Sequence, residues 1–106
     1  MSHLTLDDNN FAAEIESYKG VALVDMWAPW CMPCQMLGPV IEEVADEIGV
    51  KAKVGKLNVE ENAATATKYN VSSIPFVVLF KDGQVVDTLI GIRPKQEYID
   101  AINKQL

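Results

Sequence analysis

The sequence has only two cysteines and one histidine in 106 residues. Structural zinc generally needs four Cys or His ligands, and Cys31, Cys34 and the distant His3 do not close such a site. No apolar run approaches the roughly 20 residues of a membrane-spanning helix, so no membrane partner is expected. The start, Met1-Ser2-His3-Leu4-Thr5-Leu6-Asp7-Asp8, lacks the basic and apolar regions of a secretory signal. A cytoplasmic location is the expectation, and the reducing pool there disfavours a static disulfide. Basic clusters are missing while the net charge is −6, which argues against a nucleic-acid partner. No Gly-rich dinucleotide fingerprint follows any strand, so no bound cofactor is expected. Linkers, repeats and low-complexity segments are absent too, and residues 1–106 are read as one domain.

What is present is 49% hydrophobic residues in a clear order of elements. His3 to Leu6 suits a short strand. Asp7-Asp8-Asn9-Asn10 offers N-cap candidates for a helix with Phe11, Ile15 and Tyr18 on one face, ended by Gly20. Val21 to Met26 does not alternate and reads as a strand buried on both faces. A long helix starts near Cys31. Its stripe is Leu37, Val40, Ile41, Val44, Ala45 and Ile48, with acidic residues opposite and Gly49 as its stop. Pro39 lies within it and is expected to kink it. Lys51 to Val59 suits a strand and Glu60 to Tyr69 a weaker helix. Phe76–Phe80 and Val85–Ile90 flank Lys81-Asp82-Gly83-Gln84, which carries the Asp-Gly hairpin signal. Pro94 opens a last helix. The early alternation requires parallel crossovers and the late hairpin an antiparallel pair. The expected architecture is α/β, a mixed sheet with helices on both faces.

Both cysteines and both tryptophans fall in Trp27-Ala28-Pro29-Trp30-Cys31-Met32-Pro33-Cys34-Gln35, at a strand-to-helix junction. A structural disulfide here would close a loop of about four residues and contribute roughly 2 kcal/mol or less. A redox dithiol fits the spacing, the compartment and the helix start. Cys31 comes first, where free N–H groups and the helix dipole stabilise a thiolate, so it is the candidate nucleophile. Cys34, about one turn further and more buried, is the candidate resolving thiol that attacks a mixed disulfide held on Cys31. Asp25 interrupts the most apolar strand. A carboxylate there is costly to ionise, which suits a proton acceptor working near neutrality.

Together these residues resemble the thioredoxin family, whose usual centre is Trp-Cys-Gly-Pro-Cys. The matching landmarks are Val24-Asp25-Met26-Trp27-Ala28-Pro29-Trp30-Cys31, Pro33-Cys34, Pro39, Lys56-Leu57-Asn58-Val59, Ser73-Ile74-Pro75, Phe80-Lys81-Asp82-Gly83 and Gly91. They cover nearly the whole chain. The resemblance implies a thioredoxin fold, a central mixed five-stranded sheet flanked by four helices. It implies that Asp25 deprotonates Cys34, through water if needed. It places Lys56, a surface lysine by pattern alone, near Asp25. It implies a cis Ile74–Pro75 bond facing the cysteines, with the Ile74 backbone free to pair with an extended substrate. Trp27 then buttresses the loop and Pro39 belongs to its structural support. Trp30, Met32, Pro33, Ile74, Pro75, Phe76, Gly91 and Ile92 form the substrate-binding rim. His3 is read as incidental.

Three positions depart from the family's habit. Met32 stands where Gly is usual, Phe76 where Thr is common after the proline, and Met26 where Phe is common. The last is a core swap of similar volume. The expected activity is protein-disulfide reduction by dithiol exchange, by a monomer recharged by a thioredoxin reductase and acting on disulfide-containing target proteins. The rival readings are a dithiol oxidant or isomerase and a binding or scaffold module of the same fold.

Overall fold

The unbroken apolar run ahead of the cysteines becomes the middle strand of a five-stranded sheet. A computed structural model describes residues 3–106. The strands are Leu4–Leu6 (β1), Val21–Trp27 (β2), Lys53–Asn58 (β3), Phe76–Lys81 (β4) and Gln84–Ile90 (β5). Their order across the sheet is β1-β3-β2-β4-β5. The pairs β1–β3 and β3–β2 are parallel, while β2–β4 and β4–β5 are antiparallel. Neighbours on both sides and helices on both faces account for the burial of every residue from Val21 to Met26.

Alternation along β2 sorts its side chains between two cores. Val21 and Leu23 join Val77 and Leu79 beneath two long helices, Met32–Ile48 (α1) and Lys95–Gln105 (α3). Leu37, Ile41, Val44 and Ile48 of α1 pack there with Tyr98, Ile99 and Ile102 of α3. Each such side chain, fully buried, is worth about 1.5–3 kcal/mol. Ala22, Val24 and Met26 face the other way, onto Leu6, Phe11, Ile15, Val78 and Phe80. Phe11, Tyr69 and Phe80 meet there with ring centroids 5.4–5.8 Å apart. Asp25, one residue beyond Val24, therefore points to the α1–α3 side.

Several boundaries differ from the sequence expectation, each for a local reason. The first helix contracts to one π-wound turn, Ala12–Glu16, closed by Ser17 N–H on the Ala12 carbonyl at 2.8 Å. Of its expected caps, Asp7 serves the residues that follow it and Asp8 serves another helix. Asp7 Oδ1 accepts from the amides of Asn9 and Asn10, both at 2.8 Å. Asp8 reaches 57 residues along the chain to accept from the Thr65 amide at 2.9 Å and the Thr65 hydroxyl at 2.6 Å. It thereby serves the start of a short helix, Ala63–Lys68 (α2), and those bonds hold the Asp8 carboxyl below its ordinary range. The helix expected from Glu60 begins later because Glu60 N–H donates to Asn58 Oδ1 in a turn. The strand expected from Lys51 begins at Lys53 because Gly49–Lys51 extends α1 as a 3-10 turn. Pro39 is carried within α1, on its exposed side. The hairpin between β4 and β5 turns on Asp82 and Gly83, with φ of 51° and 80°, the left-handed pair this tight connection demands.

Among the described residues no helix is long and apolar enough to cross a membrane.

Candidate active site

Cys31 closes the loop after β2 and is the N-cap of α1, with extended backbone at φ −93° and ψ 108°. Its Sγ accepts a hydrogen bond from the Cys34 amide at 3.3 Å. A sulfur thus occupies the place where a capping oxygen usually satisfies a free N–H group. Pro33 falls in the first turn, where its missing N–H costs nothing. Cys31 and Cys34 are joined as a disulfide. Both are buried, at 6% and 3% exposure, so Cys31 is only slightly the more open of the two in this oxidised form. They pack with Ala28, and Trp27, Val59 and Ile74 lie against this group.

The Ile74–Pro75 peptide is cis, as the resemblance implies. The Pro75 carbonyl accepts from Gly91 N–H at 2.9 Å. The Gly91 carbonyl in turn accepts from the Tyr98 hydroxyl at 3.3 Å, and that hydroxyl accepts from Arg93 N–H at 3.2 Å. The proline loop and the Gly91 corner are therefore one fastened unit. Gly91 has φ +83°, a region its lack of a Cβ opens. Around the disulfide, Trp30 is 68% exposed, Met32 70% and Ile92 46%. Pro33 is exposed as well, Ile74 and Gly91 are half-buried, and Pro75 is buried. Phe76, half-buried, packs on the core beneath the opposite face of the sheet.

Asp25 is 2% exposed, and burial pushes its carboxyl up to about 7 against a smaller opposing pull from the Lys56 charge. Asp25 and Lys56 are direct partners in the parallel β2–β3 register. Both line a cavity of about 120 Å³ with Trp27, Cys34, Gln35 and Gly38. Asp25 Oδ1 is buried there without a hydrogen-bond partner in the protein. The cavity has room for water, and Asp25, Lys56 and Cys34 supply polar groups that water needs. Cys34, Asp25 and Lys56 thus come together from α1, β2 and β3.

Lys56 is more enclosed than a pattern-based surface lysine, its side chain 17% exposed. Its ammonium lies 3.0 Å from Glu42 Oε2 and donates to the Gly38 carbonyl at 3.3 Å. His3, read from sequence as incidental, has its Nδ1 against the same Glu42 oxygen. By its sequence pattern Glu42 is one of the acidic residues opposite the apolar stripe of α1, and that pattern does not reveal its part at the site. A signal for it exists: Cys34, Gly38 and Glu42 recur at i, i+4 and i+8, one stripe of a helix. Among the described residues no cluster of three or more His, Cys, Asp or Glu side chains could hold a metal ion.

Comparison with known proteins agrees with this geometry. The family model described as Thioredoxin matches residues 2–104. The thioredoxins of Bacillus subtilis, Staphylococcus epidermidis and Staphylococcus aureus are each 46% identical to the chain over 106 residues, covering 100% of both sequences.

Proposed function

The chain belongs to the thioredoxin family, and from that premise we propose how its residues divide the work of exchanging a dithiol for a disulfide. It is a protein-disulfide reductase. The observation that carries the assignment is the Cys31–Cys34 pair itself, joined across the first turn of α1 with Cys31 Sγ at the N-cap.

In the reduced protein the Cys31 thiolate attacks one sulfur of a target disulfide. A Cys31–target bond forms, the target S–S bond breaks, and the other target sulfur leaves as a thiolate that takes a proton from water. Asp25 then accepts the Cys34 proton, directly or through water in the shared cavity. The Cys34 thiolate attacks Cys31 Sγ, the Cys31–Cys34 bond forms, and the second target sulfur leaves and is protonated. Two electrons pass from the dithiol to the target. Trp30, Met32, Pro33, Ile74, Pro75, Gly91 and Ile92 are the contact surface, and Ile74 offers backbone groups to an extended segment, whereas Phe76, expected in this rim from the sequence, is turned into the core on the other face of the sheet. Trp27 and Pro39 support the loop and helix that carry the cysteines. Lys56 sets the charge balance at Asp25.

We place the protein, a single domain over residues 1–106, in a reducing compartment such as the cytoplasm, where a thioredoxin reductase would recharge the disulfide. The test is reduction of a model protein disulfide by dithiothreitol, with and without the protein, beside a Cys31→Ser control. Acceleration lost in the control supports the reading, and no acceleration by the intact protein overturns it in favour of a binding module. A redox titration separates reductant from oxidant.

A further inference from the structure

Lys56 faces Asp25 across the β2–β3 register, yet its ammonium is not paired with it. Among the described residues no ion pair joins the two. The ammonium is instead drawn to Glu42 Oε2 at 3.0 Å and to the Gly38 carbonyl at 3.3 Å. These two acceptors sit one turn apart on α1, and His3 Nδ1 lies against the same Glu42 oxygen. The groups that face Asp25 are few. They are Lys56 from β3, Cys34 from α1 and the Tyr98 phenol from α3, while its β4 partner is Val77.

We propose that Glu42 is a positioning residue that holds the Lys56 ammonium off Asp25 and so keeps Asp25 able to take the proton of Cys34. Two acidic groups compete for one cation. A contact pair with Asp25 would require the ammonium to enter a site only 2% exposed, which costs desolvation. At Glu42, whose side chain is 30% exposed, the ammonium keeps part of its hydration and gains a carbonyl. The consequence is chemical. A carboxylate in contact with a cation loses about 1–3 units of proton affinity and becomes a poor acceptor for a thiol proton. Held on Glu42, Lys56 tempers Asp25 without quenching it.

The proposal rests on Asp25 being the proton acceptor for Cys34, but its test does not. In the oxidised protein the cysteines do not titrate, so the Asp25 carboxyl can be followed alone by carbon NMR across pH. Glu42→Gln keeps the shape of a partly exposed side chain and removes the charge that draws the ammonium to it, leaving only a neutral carbonyl. Asp25 should then titrate about one pH unit lower. Loss of the Glu42 charge alone also lowers Asp25 somewhat, so the same substitution is made beside Lys56→Met. There no ammonium can be released, and the shift should shrink to a small fraction. An Asp25 titration that does not move in Glu42→Gln, or that moves equally in both backgrounds, overturns the proposal. Failure of Asp25 as proton acceptor would show instead in turnover of Asp25→Asn, which this titration leaves untouched.

Discussion

Asp25 and Cys34 line one cavity, the carboxyl from the centre of β2 and the sulfur from the first turn of α1. A group raised to about 7 by burial is ionised above that pH and protonated below it. As a base for Cys34 it works only when ionised. Release of target from the Cys31 mixed disulfide should therefore rise with pH through about 7 and level off above it. Asp25→Asn should slow release by about 10²-fold or more and abolish that inflection, leaving the first attack by Cys31 intact. Rapid mixing of reduced protein with a disulfide substrate reads both steps. Unchanged turnover from about pH 6 to 8 would remove Asp25 from the mechanism.

The same burial makes Asp25 a cost to the fold. Its carboxyl is raised in the folded chain from 3.8 to about 7, so over that window the folded state keeps a proton that the unfolded state has lost. Stability must fall as pH rises from 3.8 to about 7 and stay level beyond. Asp25→Asn removes the effect. It should stabilise the protein at pH 8 by a few kcal/mol, about 4 at most, and give no such gain at pH 3. Urea midpoints at the two pH values check this. Equal gains at both would mean that burial of the charge is not what Asp25 costs.

Cys34→Ser should separate the two halves of the exchange. Cys31 keeps its place at the N-cap of α1, so the attack on a target disulfide persists. Serine cannot displace a thiolate from sulfur, so the target should remain linked to Cys31, visible on a non-reducing gel and released by dithiothreitol. Full multiple turnover in this variant would contradict the assignment of Cys34 as the resolving thiol.

The order of elements and the cysteine chemistry are legible in the sequence because they rest on local signals. The apolar run Val21–Met26, the stripe Leu37 to Ile48 and the Asp82-Gly83 turn all lie where their patterns place them. The first helix reads longer in the sequence than it is because Asp8, like Asp7, looks like a cap for the residues that follow, and only Asp7 is one. Only the tertiary structure shows Asp8 serving a helix that starts at Ala63. Lys56 and Asp25 meet through strand register, a relationship between segments about thirty residues apart, and family resemblance supplied what pattern did not. Glu42 was hidden for the same reason. On α1 alone it is one of several acids on a solvated face, and it gains meaning only when β3 brings Lys56 beneath it.

Met32 is one of three positions where this chain leaves its family's habit, and it is openly exposed beside the disulfide. At 70% exposure it stands free at the first residue of α1, near Trp30 at 68% and one turn from Met36 at 65%. A flexible thioether so placed gives nothing to the fold but offers apolar area to whatever docks on Cys31. Burying it against a protein partner is worth about 1.5 kcal/mol, roughly a tenfold effect on affinity. Met32→Gly should therefore raise KM for the reductase and for protein substrates severalfold. With a small disulfide that cannot reach Met32, kcat/KM should change little. Glycine also weakens the first turn by about 1 kcal/mol, part of which can appear as a shift in redox potential, where 1.4 kcal/mol corresponds to about 30 mV. Measuring the potential beside both sets of kinetics distinguishes the two routes. Partner-selective loss with a steady potential assigns Met32 to recognition, and an equal change for large and small substrates assigns it to the chemistry of the dithiol. If potential and reductase kinetics both stay as they were, Met32 does neither.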